Sequence, residues 1–399
     1  MVYVHVPFCR SFCTYCGFYS EVAPKCRRDE DIMKQEALFE DFISALEAEV
    51  DSRKDEIERV FASGGVNTLY VGGGTPSVMP LYFFERLTAS LKRTAFSEFT
   101  VEVNPEDITD KGPEYIRGLM SLGVNRISMG VQSFDDGILK WMNRRHTSAQ
   151  ALEAYRILED AGMENISIDL IFGLPQLTEP LWRETLDKAL SISSRGTLPA
   201  HVSAYQLSVE EDSMLEKMIS RGMCSEASED ACRMQYDVLC EVLGKAGYNH
   251  YEISNFARPG FEAQHNSAYW RHVPYVGLGP GAHSYIADAE GQVSGDVSSG
   301  RRQWNESDLR KYVEAGKTGE FSGIRGGERL DPEQIRMERI MLGLRTASGV
   351  PQTYLRRQCD GRVLDEALCR GNLVTLKDGL VRIPEERFFI SDSIISFII

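Results

Sequence analysis

Cys9, Cys13 and Cys16 fall within eight residues near the start of the chain, at spacings of four and three. They follow the apolar alternation Val2, Val4, Val6, which reads as a strand. Pro7 ends that strand, because proline has no N–H to donate and a fixed φ. The thiols therefore lie on a loop at a strand's end. Thiolates are soft ligands that suit zinc or iron–sulfur clusters. Three are one short of the closed four-thiolate shell of structural zinc, and the next cysteine, Cys26, is ten residues further on in a charged stretch. An open position on the metal points to chemistry. The plainer readings are a zinc site completed by His5 or a distant residue, and three unrelated buried thiols.

Other residues able to do chemistry fall where strands should end. Gly72-Gly73-Gly74-Thr75-Pro76 follows an apolar run at Thr68–Val71, and its missing side chains allow backbone groups to approach a ligand. Glu102 stands in VEVNPED, Gln132 in GVQSF and Arg144 in MNRRH. Asp169 interrupts the apolar run ISIDLIFGLP, where a charge is costly unless paired.

The elements that must position these groups alternate. Strand patterns near Thr68–Val71, Phe99–Val103, Arg126–Gly130, Ile166–Ile171, His201–Leu207 and Tyr248–Ser254 are separated by helical ones near Leu81–Phe96, Pro113–Leu122, Ala149–Ala161, Trp182–Arg195 and Glu229–Ala246. Alternation of this kind implies an α/β fold of parallel strands with right-handed crossovers, curled into a complete or partial (β/α) barrel with its site at the strands' C-terminal ends. Glu36–Val50 reads as an acidic helix and Asp51–Glu58 as a solvated charged face. Ser298–Arg302 and Gly323–Glu328 read as loops around a linker, which divides the chain into 1–300 and 301–399.

The chain has 399 residues, 42% hydrophobic and 26% charged, enough for one large domain and a smaller one. A net charge of −15 argues against a general nucleic-acid binder. Nine cysteines in so long a chain do not resemble a disulfide framework. No signal peptide precedes the first strand and no apolar run approaches 18 residues, so a cytoplasmic protein with reduced thiols and no transmembrane segment is expected.

Cys-x3-Cys-x2-Cys with an aromatic, Tyr15, before the third cysteine resembles the signature of the radical S-adenosylmethionine (SAM) superfamily. The resemblance implies that Cys9, Cys13 and Cys16 hold three irons of a [4Fe–4S] cluster while SAM chelates the fourth, and that reduction yields a 5′-deoxyadenosyl radical, chemistry that belongs to the cofactor. It implies that Gly73, Gly74 and Thr75 hold the methionine ammonium together with Glu102. It implies further that Arg144 grips the SAM carboxylate and that Gln132 and Asp169 hydrogen-bond the ribose. Within the superfamily the chain is most similar to the oxygen-independent coproporphyrinogen III oxidase-like group, whose first strand reads Tyr-x-His-x-Pro-x-Cys, here Tyr3, His5, Pro7 and Cys9. Tyr3 and Tyr15 join the cofactor set on that ground.

Two subfamilies compete. The true oxidases, which decarboxylate two propionates of coproporphyrinogen III, carry a fourth cysteine as Cys-x-Cys and a long segment before the first strand. This chain reads Cys16-Gly17-Phe18 and starts its strand at Val2. The heme chaperone (HemW) subfamily has Phe there and a His-Asn-x-x-Tyr-Trp motif, matched by His265, Asn266, Tyr269 and Trp270. The resemblance implies heme as cargo at those four residues, with His265 as a candidate iron ligand and His272 and His283 behind it. The implied partner is a heme-accepting protein, a membrane-associated respiratory hemoprotein being one candidate.

Beyond Pro332, helices at Gln334–Leu344, Pro351–Cys359 and Val363–Arg370 precede a hairpin turning at Asp378-Gly379, a winged-helix-like α+β unit. Residues 333–399 carry ten basic and nine acidic side chains, too balanced to track phosphates. The unit reads as a cover or partner-docking domain. Cys224, Cys232, Cys240, Cys359 and Cys369 read as ordinary thiols.

Overall fold

In the computed structural model, which describes residues 1–24, 28–63, 66–288 and 299–399, nine strands build the main sheet. They are β1 (Val2–Val6), β2 (Thr68–Gly73), β3 (Glu98–Val103), β4 (Arg126–Gln132), β5 (Ile166–Phe172), β6 (His201–Gln206), β7 (Asn249–Glu252), β8 (Asn255–Ala257) and β9 (Val276–Leu278). Their spatial order is β9-β1-β2-β3-β4-β5-β6-β8-β7. From β9 to β6 every neighbour is parallel. Helices at Leu81–Leu91, Pro105–Ser121, Ser148–Ala161 and Glu179–Leu190 return the chain between strands. Val71, Val101, Met129, Ile168 and Val202 are wholly buried, as expected where both faces of a parallel sheet are covered. The sheet's outer strands, β9 and β7, do not pair with each other, so this is a partial barrel.

Three expectations need correction. Tyr248–Ser254 does not continue the βα alternation. It makes a tight hairpin of β7 and β8, antiparallel to each other and to β6, because the turn is too short for a parallel crossover. Ser298–Arg302 and Gly323–Glu328 are not simple loops. Gly300–Asn305 is the middle of a three-stranded antiparallel sheet with His283–Ala287 and Arg325–Leu330; Ser298 lies outside the described residues. That strand is polar, and Arg302 faces Glu328 across it with an ion pair of 2.8 Å, so no apolar alternation marked it. Finally, Asp51–Glu58 is only partly a solvated face. Arg53 is buried, donating to the Gly277 carbonyl at 2.7 Å and Ser284 Oγ at 3.1 Å.

One helix also starts earlier than its pattern shows. It runs Pro105–Ser121 with a break at Gly112 (φ 70°), because Pro113 excludes the residue before it from helical ψ. The C-terminal unit has helices Pro332–Leu344, Gln352–Gln358 and Gly361–Cys369, then a hairpin of Val374–Thr375 and Leu380–Arg382 turning at Gly379 (φ 80°). Val350–Pro351 adds a third strand to it, which completes the winged-helix-like arrangement.

Candidate functional site

A cavity of about 530 Å³ opens at the C-terminal ends of β1–β6. Cys9, Cys13 and Cys16 all line it, as do Tyr15, Gly73, Gly74, Thr75, Glu102, Gln132, Arg144 and Asp169. The topology explains the convergence. Parallel strands end on one side of the sheet, so residues far apart in sequence meet over its carboxyl edge.

The cysteine loop is fastened to that edge. Gly74 N–H donates to the Val6 carbonyl at 2.8 Å and Thr75 N–H to the Phe8 carbonyl at 2.7 Å. A Cβ on Gly74 would lie 2.7 Å from the Phe8 oxygen, and Gly73 adopts φ 106°, which explains why glycine is needed at both positions. Further along, Thr14 N–H donates to the Met142 carbonyl at 3.1 Å and Asn143 Nδ2 to that of Phe12 at 2.6 Å. Thr75 Oγ1 and Arg144 Nη1 each lie 3.4 Å from a sulfur, that of Cys9 and that of Cys13 respectively.

The donor set fits an iron–sulfur cluster. Burial pushes the Cys16 thiol up to about 11 and the Cys9 thiol in the same direction, and the sulfurs are close enough for their charges to oppose one another. Thiolates so placed need a bound cation. Among the described residues no three His, Cys, Asp or Glu side chains converge tightly enough to hold a single ion. His5 offers such an ion nothing, because its Nδ1 faces Tyr3 Oη at 3.1 Å and its Nε2 the Tyr19 carbonyl at 2.8 Å. Cys26 lies outside the described residues.

Opposite the thiols is a polar arc suited to an amino acid and a ribose. Glu102 accepts from Tyr70 Oη at 2.7 Å and from Gly73 N–H at 3.3 Å, and burial raises its carboxyl to about 7. A cation beside it would restore the carboxylate. Arg144 lines the cavity, its Nη2 donating to Asn104 Oδ1 at 2.6 Å and to the Gly130 carbonyl at 2.7 Å, and its buried Nε has no partner. Gln132 sits at φ 65° on a register shift in β4, a strained backbone of the kind kept at binding sites. Asp169 is held by Ser128 at 2.8 Å and Ser167 at 3.0 Å, and burial raises its carboxyl. When bound and reduced, a [4Fe–4S] cluster would supply the electron that cleaves the sulfonium of SAM, and the residues of this arc are those that would hold the amino-acid end and the sugar.

Not every expected residue reaches the cavity. Tyr3 is absent from its lining and instead meets His5 Nδ1 with its hydroxyl, because it sits near the start of β1, its ring beside Tyr70 of β2. The heme set is divided. His265 and Tyr269 are one turn apart on the helix Gln264–Trp270 and face the sheet. His265 is fully buried, with Nδ1 at 2.8 Å from Thr68 Oγ1 and Nε2 at 3.1 Å from Tyr269 Oη, so as placed neither nitrogen is free for iron. Asn266 looks into the cavity and Trp270 into a different groove. Conversely, Asn104, Tyr70 and Ser128 complete the cavity without having been expected there. Asn104 was the most legible of them, since it follows Glu102 by two positions at the same strand's end.

Comparison with known proteins agrees with this geometry. The radical SAM superfamily model matches residues 3–189. The heme chaperone HemW of Lactococcus lactis is 36% identical over 87% of this chain and 82% of its own length. The chain belongs to the HemW family of radical SAM proteins. HemW of Bacillus subtilis is 30% identical over 91% of the chain and 87% of its own length. The solved coproporphyrinogen III oxidase HemN of Escherichia coli has a TM-score of 0.73 at 20% identity, covering 99% of this chain and 89% of that one. That likeness shows the fold. Phe18, two positions after the third thiol, is 71% exposed and lines the cavity. No helix among the described residues is long and apolar enough to cross a membrane.

Proposed function

We propose that this chain is a cytoplasmic heme chaperone: it binds a [4Fe–4S] cluster through Cys9, Cys13 and Cys16, binds SAM beside it, carries heme, and delivers heme to an acceptor hemoprotein. The reading is carried by near full-length similarity to proteins named for that activity. It is supported by one cavity that gathers three thiols, a buried carboxyl, an arginine fork and an Asp. Glu102 pairs with the SAM ammonium, Arg144 with its carboxylate, and Gln132 and Asp169 with its ribose. Phe18 in place of a fourth cysteine separates the chain from the porphyrinogen-decarboxylating enzymes.

The test is an anaerobic incubation of the reconstituted chain with coproporphyrinogen III, SAM and reductant, with heme binding measured on the same sample. The chaperone reading expects heme bound and the substrate returned unchanged. Formation of protoporphyrinogen would replace it with the dehydrogenase reading. A reconstituted protein holding neither iron nor sulfide removes both.

A further inference from the structure

A line of hydrogen-bonded side chains leads away from Asp169 into the interior of the partial barrel. β5 and β6 pair in parallel with Ser167 opposite His201 and Asp169 opposite Ser203. Residues two apart on a strand face the same side, so these four share one face. Ser167 Oγ donates to Asp169 Oδ1 at 3.0 Å and lies 2.8 Å from His201 Nδ1 and 3.2 Å from Ser203 Oγ. His201 Nε2 is in turn 2.8 Å from the hydroxyl of Tyr251 on β7. Ser167 and His201 are fully buried.

Counting protons fixes the direction of this line. Burial, and then the cation of Arg126, oppose a second proton on His201, so the ring carries one. The Tyr251 oxygen receives the N–H of Ala263 at 3.3 Å, a group that can only donate, which leaves the phenol proton for Nε2. The ring proton is then on Nδ1 and goes to Ser167, whose own proton goes to Asp169. With the ring proton on Nε2 instead, Nδ1 would draw the Ser167 proton to itself and Asp169 would lose a donor. Ser128 alone would be left to it of these two, at 2.8 Å on the other oxygen.

We propose that Tyr251 is a positioning residue for the SAM site: by donating to His201 Nε2 it holds that ring in its Nδ1–H tautomer, and so commits the Ser167 hydroxyl to Asp169, which stays a carboxylate able to accept from the ribose. The inference rests on Asp169 as the ribose acceptor of the proposed function. Asp169 accepts from two hydroxyls only when ionised, so SAM binding weakens as pH falls through its titration. Burial already raises that carboxyl, and loss of a donor raises it further. The other charged or titratable groups that face it are Glu102, Arg126, Tyr70 and Tyr205; they are common to every variant below and cancel.

The test follows SAM affinity of the anaerobically reconstituted full chain by calorimetry from about pH 5 to about pH 9, in the wild type, Tyr251→Phe, Ser167→Ala and the double variant. The tautomer of His201 is read from ring-nitrogen NMR of histidine-labelled protein, and far-UV circular dichroism verifies the fold. Expected are the Nδ1–H tautomer in the wild type and a share of Nε2–H in Tyr251→Phe. The acid limb of SAM binding should move up by about half a pH unit or more in Tyr251→Phe, roughly threefold weaker binding on the acid side. Ser167→Ala should move it the same way, and the double variant should equal Ser167→Ala alone, because Tyr251 acts through Ser167. A wild-type ring protonated at Nε2, an unchanged tautomer or acid limb in Tyr251→Phe, or losses that add in the double variant overturn the proposal. A wild-type chain that binds no SAM at any pH overturns the SAM reading itself.

Discussion

Replacing Glu102 with glutamine should remove a pH dependence from the stability of the protein. Glu102 is a buried carboxyl whose proton affinity is raised from 4.5 to about 7, first by loss of solvation and then by the neighbouring Asp169, against the hydrogen bonds from Tyr70 and Gly73. A folded state that holds this proton more tightly than the unfolded chain is favoured below pH 4.5 and loses that advantage as pH rises through 7. At about 1.4 kcal/mol for each tenfold change in proton affinity, the gap between 4.5 and about 7 amounts to roughly 3 kcal/mol. Glutamine cannot ionise. It also loses one of the two acceptor oxygens, but that cost is the same at every pH. Urea denaturation of the SAM-free chain at pH 5 and pH 8 measures the difference. Between those limits the wild type should lose about 2–3 kcal/mol more than Glu102→Gln. Equal losses in the two proteins would mean that the carboxyl is solvated or already paired in the folded state, and the argument that it awaits a cation would fail. Glu252, whose carboxyl burial also raises to about 7, contributes equally to both proteins and cancels.

Three further outcomes follow from the same geometry. Arg144→Lys, which keeps the charge but not the fork between Asn104 and Gly130, should weaken SAM binding at least tenfold, roughly 1.4 kcal/mol by calorimetry, without unfolding the chain. Gly74→Ala should lower iron content after reconstitution, because the new Cβ would lie 2.7 Å from the Phe8 carbonyl oxygen at the root of the cysteine loop; full iron occupancy would contradict this. Glu49→Ala should cost about 3–5 kcal/mol in chemical denaturation, since this fully buried carboxylate accepts from Gly279 N–H at 2.8 Å, Asn305 Nδ2 at 2.8 Å and Tyr312 Oη at 2.7 Å.

Much of the lining of the candidate site was legible because its signals are local. Cysteine spacing, the glycine run and the polar residues after β2, β3 and β4 are each read within a few positions, and parallel topology then gathers them on one edge. The core strands were legible for the same reason, since a strand covered on both faces is a continuous apolar run. What stayed hidden depends on partners distant in sequence. The polar strand Gly300–Asn305 owes its existence to backbone pairing with Arg325–Leu330 and to Arg302 meeting Glu328. The hairpin of β7 and β8 reverses the direction of the sheet without altering its apolar pattern.

The HNxxYW segment marks the boundary between the two kinds of knowledge. Residue types and spacing determined that an imidazole, an amide and two large aromatics fall within six consecutive residues. Only the tertiary structure decided which way each one faces. It closed both nitrogens of His265 on Thr68 and Tyr269, and placed Asn266 at the thiol-lined cavity and Trp270 at a groove that the C-terminal unit completes. The reason is physical: a sequence specifies what a side chain can donate or accept, whereas the elements packed around it decide whether that capacity is already satisfied.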